Sequence, residues 1–189
     1  VIDSDSRLLA VVPRMGMGFG FGEESVEEVC RRYGVSTGAF LAICRVYAYG
    51  DAGTLTQSLQ EEDIRDIVAY LRRSHAHYGE VVASRLTISL DKLMESCDQR
   101  CRQIISKFFG EYTEELKRHF TYEDKVVFPY VDSVLNHTGK ADYNILQYEE
   151  NHSNVDEKLA DLKNILMKYL PRECGTGPVA EVLDIIFLL

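Results

Sequence analysis

The chain has 189 residues, 46% of them hydrophobic and 27% charged, enough to bury one substantial core with a small appendage. Its formal net charge of −9, with Lys and Arg scattered, offers phosphates no basic stripe and argues against nucleic acid as a partner of this region. No apolar run approaches the ~20 residues that span a bilayer, Val1-Ile2-Asp3-Ser4-Asp5 lacks the basic start of a signal peptide, and five cysteines at irregular spacing do not suggest a disulfide framework. A cytoplasmic protein with free thiols and no membrane contact is expected.

Residues 6 to 12 read as a short apolar helix stopped at Pro13, followed by a loop in which glycine recurs at 16, 18, 20 and 22 between Met17, Phe19 and Phe21. Ser25-Val26-Glu27-Glu28 is a capping box, and Gly34 stands where a left-handed residue would end that helix. A second helix is expected from Ser36 to Tyr47, with Phe40, Leu41, Ile43 and Cys44 inward, before Gly50-Asp51-Ala52-Gly53 breaks the pattern. These elements define a small helical N-terminal domain, 1–52. The pair joined at Tyr33-Gly34-Val35-Ser36 also has the outline of a helix-turn-helix, but its second helix carries Arg45 as its only base, too little charge to hold a DNA backbone. The glycine series lacks the G-x-x-x-x-G-K-[ST] pattern of a phosphate loop.

From Glu61 the pattern is helical almost to the end, and a bundle over 61–189 is expected. Ile64, Val68, Leu71, His75, Tyr78 and Val82 form one stripe, which makes His75 the inward histidine, while His77 is rotated by ~200° and reads with His137 as a surface residue. The helix continues past a kink near Gly79 through Leu86, Leu90, Leu93, Cys97 and Cys101, with a turn near Ser96-Cys97-Asp98. The next carries Ile105, Phe108, Tyr112, Leu116, His119, Glu123, Val127 and Tyr130 inward until Pro129 kinks or ends it, and Asn136-His137-Thr138-Gly139 is the loop beyond. A third bundle helix turns Ile145, Tyr148, His152, Val155, Leu159, Leu162 and Leu166 inward and closes at Leu170-Pro171. After a loop with Gly175, Gly177 and Pro178, a fourth begins with Val179, Val182, Leu183 and Ile186. The chain starts without an initiator methionine and stops in an apolar run, so it reads as trimmed at both ends, with the fourth helix incomplete. An apolar face left uncovered there favours a homo-oligomer or a swapped helix.

His119 and Glu123, four residues apart, leave one helix face together, so one metal ion can take an imidazole nitrogen and a carboxylate oxygen from them. A buried carboxylate is costly unless it is paired or ligating, and the candidate metal ligands are His75, His119, Glu123 and His152, one or two from each of three helices. Tyr78, Tyr112, Tyr122 and Tyr148 lie near them at helical spacing, as hydrogen-bond partners or as packing. Glu149-x-x-His152 has the spacing of a ferritin-like site, but that design needs the motif twice. Cys97 and Cys101 continue an apolar stripe and read as interior thiols; Cys30, in the small domain, is the thiol of most interest.

The histidine of the first bundle helix, His119-x-x-x-Glu123 followed by Phe128-Pro129, and His152 on a third helix together resemble the hemerythrin-like four-helix bundle. The resemblance implies an all-α fold, an up-down four-helix bundle, with a non-haem di-iron centre that binds O2 or NO as a small ligand. The Gly-rich loop with Ser25-Val26-Glu27-Glu28-Val29-Cys30 and Tyr33-Gly34-Val35 resembles the small domain that precedes this bundle in the iron-sulfur cluster repair di-iron proteins. Two features depart from that family. Gly18-Phe19-Gly20-Phe21-Gly22 stands where an adjacent cysteine pair is usual, and the fourth helix ends before a second His-x-x-x-Glu, so the iron site is expected to be incomplete in this chain. A sensory module that passes gas binding to a further output domain, and a metal-free helical interaction protein, are the alternatives.

Overall fold

The structure, a computed structural model, describes residues 5–50, 53–138, 154–171 and 175–187 and contains no β-strand among them. The chain divides into two compact units, Val1–His75 and Ala76–Leu189.

Capping organises the first unit. Asp5 accepts the Arg7 N–H at 3.0 Å and opens the 3-10 turn Ser6–Ala10, which passes into α1, Val11–Arg14. Pro13 therefore lies inside a helical turn instead of stopping one: within a first turn its missing N–H would have no partner, and the break comes at Gly16 with φ 79°. Helix α2, Val26–Tyr33, has both halves of the Ser25–Glu28 capping box and ends on Gly34 at φ 64°. Helix α3, Thr37–Tyr49, is capped by Ser36 and ends on Gly50 at φ 79°. Leu41, expected inward, is 40% exposed, because the buried stripe of α3 runs through Ala39, Phe40, Ala42, Ile43 and Cys44.

Helix α4, Glu61–Ala76, serves this same unit. Tyr70 belongs to a core with Leu8, Val11, Met15, Val29 and Phe40, and Ile67 packs against it. Asp63, Tyr70 and Ser74 are buried beside Val68 and His75, whereas Leu71 is 36% exposed. The stripe anticipated for α4 was thus one of two, and the face through 63, 67, 70 and 74 closes the N-terminal core. Asp63 joins the pieces: it accepts from Ser36 Oγ and from the Gln60 N–H at 2.6 Å, while Asp66 accepts the Ser36 N–H at 2.6 Å. Arg14, 5% exposed, donates to Tyr47 OH at 2.6 Å and Ser74 Oγ at 3.3 Å and lies over the Tyr70 ring at 5.0 Å.

The second unit is a bundle of four helical segments. Its helices are α5 (Ala83–Glu95), α6 (Gln99–Tyr122) continued by α7 (Phe128–Leu135), α8 (Asn154–Asn164) and α9 (Thr176–Phe187). Helix α5 packs on α6 and α9, and α8 on α6 and α9, which closes the ring of four. Leu86, Leu90, Leu93, Ile105, Leu162, Leu166, Val182 and Ile186 fill the centre. The turn at Ser96–Asp98 is sharp because Asp98 accepts the Cys101 N–H at 2.7 Å and caps α6. Lys158 on α8 donates to Glu111 on α6 at 2.7 Å, and that hydrogen bond, with the lysine's charge, holds the Glu111 carboxyl below its ordinary range. Helix α9 begins earlier than expected, at Thr176, since Gly177 and Pro178 are tolerated in a first turn where no N–H partner is available.

Among the described residues, π-helical stretches at His77–Val82 and Glu123–Val127 lie within helical runs, and one at Ile165–Tyr169 ends α8. The first covers Gly79, where a kink was expected.

Two glycines test this packing. A β-carbon at Gly38 would fall on the Asp63 carboxylate, which cannot move without releasing the α3 cap, whereas one at Gly110 in α6 meets nothing. In urea unfolding, Gly38→Ala is expected to destabilise by ~1–3 kcal/mol. Gly110→Ala is expected to stabilise by ~0.5–1 kcal/mol, the ordinary gain for removing a mid-helix glycine.

Candidate metal centre

Helix α6 brings its inward face, Ile105, Phe108, Tyr112 and Leu116, to His119 and then Glu123. His119 Nε2 and Glu123 Oε2 are 3.6 Å apart, and the two side chains are only 13% and 8% exposed. At Glu123 the helix widens: the Phe128 N–H donates to the Glu123 carbonyl five residues back, not four. The inward phase therefore moves from Glu123 to Phe128, 2% exposed, and Val127, expected inward, is only half-buried. Pro129 then lies at the start of α7, where the loosened turn before it accommodates its ring, and the helix runs on to Leu135 instead of ending.

The pair suits a metal ion in donor type and span. Two donors each about 2.1 Å from one metal lie roughly 3.0–3.6 Å apart for angles of about 90–120°. An imidazole and a carboxylate at 3.6 Å meet that condition at its wide end. The face around the pair is mainly apolar, with the ion-paired Glu115 one turn before it, so charge buried there has to be balanced. Among the described residues no set of three or more His, Cys, Asp or Glu side chains converges on one point.

Of the other expected ligands, His75 is 8% exposed near the end of α4, in the N-terminal unit. His152, with Tyr148 and Glu149, lies outside the described residues. His77, expected at the surface, is half-buried with its ring 5.3 Å from Tyr78, while His137 is exposed in a left-handed turn at φ 54°. Tyr112 is buried, and Tyr78 and Tyr122 half-buried. The sequence reading passed over Glu115, 7% exposed and ion-paired with Arg118. Its place four residues before His119 on the inward face was the signal available, and the neighbouring arginine satisfies its charge.

The described cysteines, Cys30, Cys44, Cys97 and Cys101, form no disulfide and are buried, the last two in the bundle core. Burial pushes the Cys44 thiol up to about 11 and raises that of Cys30 as well.

An all-helical ring of four with a buried imidazole–carboxylate pair on one helix defines a helical cation-binding bundle. Residues 66–186 match the family described as the hemerythrin HHE cation binding domain, and the chain belongs to that family. No curated protein and no solved structure matches the chain. No helix among the described residues is long and apolar enough to cross a membrane.

Raising a thiol from 9 to about 11 cuts its thiolate fraction near neutral pH by ~100-fold, and the thiolate is the nucleophile. Iodoacetamide at pH 8 is therefore expected to alkylate Cys44 at least ~100-fold more slowly in the folded chain than in urea, as read by site-resolved mass spectrometry.

Proposed function

We propose that this chain contributes ligands to the non-haem di-iron centre of a protein that responds to nitric oxide or oxygen in support of iron-sulfur cluster repair. The proposed organisation is a small helical domain, 1–52, before a bundle, 61–189, with α4 as a boundary element whose Tyr70 and Ile67 pack in the N-terminal core. The observation that carries the reading is the buried His119–Glu123 pair within a cation-binding family match. His75 and His152 complete the proposed ligand set, supported by the burial of His75 and by the position of both inside the matched span, 66–186. The repair role is supported by the likeness of the Gly-rich loop and the Ser25–Val35 segment to the small domain of the repair proteins.

In this reading His119 offers a neutral imidazole nitrogen and Glu123 an anionic oxygen, while Tyr112 and Phe128, both buried, keep bulk water from their helix face. Iron, when bound, supplies a coordination position open to a diatomic ligand. The acidic chain with free buried thiols is assigned to the cytoplasm, without a nucleic-acid partner and with self-association as its oligomeric mode.

Iron per chain after anaerobic reconstitution tests the ligand set. His75→Ala is expected to lose iron and His77→Ala to retain it, because the two side chains leave their helices in different directions; equal retention would remove His75 from the site. Glu123→Gln keeps the side-chain shape without its charge, and is expected to lose or uncouple the iron with helicity by circular dichroism unchanged. Normal metal loading in that variant, or no spectral change when nitric oxide is added to the ferrous wild type, would overturn the proposal.

A further inference from the structure

The N-terminal unit contains a cavity that the metal chemistry does not use. It measures about 220 Å³ and is walled by Val12, Met17, Val26, Val29 and Phe40, with Phe21 at its side and Cys30 in its lining. Val12, Met17, Val29 and Phe40 are each between 0% and 6% exposed, so the walls belong to the packed core. Protein interiors leave few voids larger than a water molecule. Apolar cavities of about 150 Å³ stay dry and admit benzene-sized molecules. This pocket is larger and open to solvent on one side, and its lining is mainly apolar.

Its charge is as informative as its size. Glu24, the one carboxylate in the lining, is held by Arg32 at 2.6 Å, and the Cys30 thiol, which burial keeps protonated, already bonds with Thr37. A charged ligand would be desolvated there without a counter-ion. Two phenylalanine rings and a methionine sulfur favour instead the face and edge of another aromatic ring.

We infer that this cavity is a binding site for a neutral aromatic ligand of one or two fused rings, independent of the metal centre. The experiment is a titration of the full chain, with methyl-labelled Met and Val, using indole and the anionic indole-3-carboxylate as probes. Indole is expected to shift the Met17, Val26 and Val29 methyl resonances saturably and to give nuclear Overhauser contacts with them, while Val182 in the bundle core does not respond. Indole-3-carboxylate is expected to bind at least tenfold more weakly. Val29→Phe, which fills the cavity, is expected to weaken indole at least tenfold, and the Overhauser contacts in the wild type decide the matter should that variant not fold. Shifts that rise linearly without saturation, contacts spread over the bundle, or equal binding of the two probes would overturn the assignment. Iron content has no bearing on these outcomes, so failure here is distinguishable from failure of the metal reading.

Discussion

The hydrogen bonding after Glu123 decides how the helix continues beyond the candidate metal centre. Because the Phe128 N–H reaches the Glu123 carbonyl instead of that of Asp124, one extra residue is taken up at the point where the carboxylate turns inward. Without it the helix would continue with Val127 below Glu123, and Pro129 would crowd the carbonyl of Lys125 in a tight turn. With it, the bulkier Phe128 seals the face beneath the carboxylate, and the helix survives its proline as far as Leu135.

Polar groups inside the two units are handled in different ways. Arg14 is enclosed by tyrosine rings and hydroxyls, and Asp63 by the N–H and hydroxyl groups of two helix starts, so both are bound into the fold and their loss would release several elements together. Glu115 keeps an exposed arginine as partner on its own helix. His119 and Glu123 sit together at the ligating distance on an apolar face, an arrangement whose cost a bound cation would offset.

The N-terminal unit also shows why thiol chemistry is not its asset. Its two described cysteines lie in a dry core that disfavours the thiolate, and the adjoining cavity is apolar. Space and hydrophobic surface, not nucleophilicity, are what this unit offers a ligand.

Much of the fold was legible because local rules dictate it. Ser25 with Glu28, Gly34, Asp98 and the apolar spacing of Leu86, Leu90, Leu93, Leu162 and Val182 fix starts, stops and inward faces through nearest-neighbour chemistry. The four-residue spacing of His119 and Glu123 likewise fixed their shared face. Sequence periodicity assumes a uniform 3.6-residue turn and one buried face per helix, and it failed where either assumption did. The π stretch at Glu123 replaced Val127 by Phe128, and the first unit drew Asp63, Tyr70 and Ser74 of α4 into a core of its own while Leu71 and Leu41 faced solvent. Those outcomes depend on which surfaces meet and on how a helix relieves a proline, so only the tertiary structure decided them.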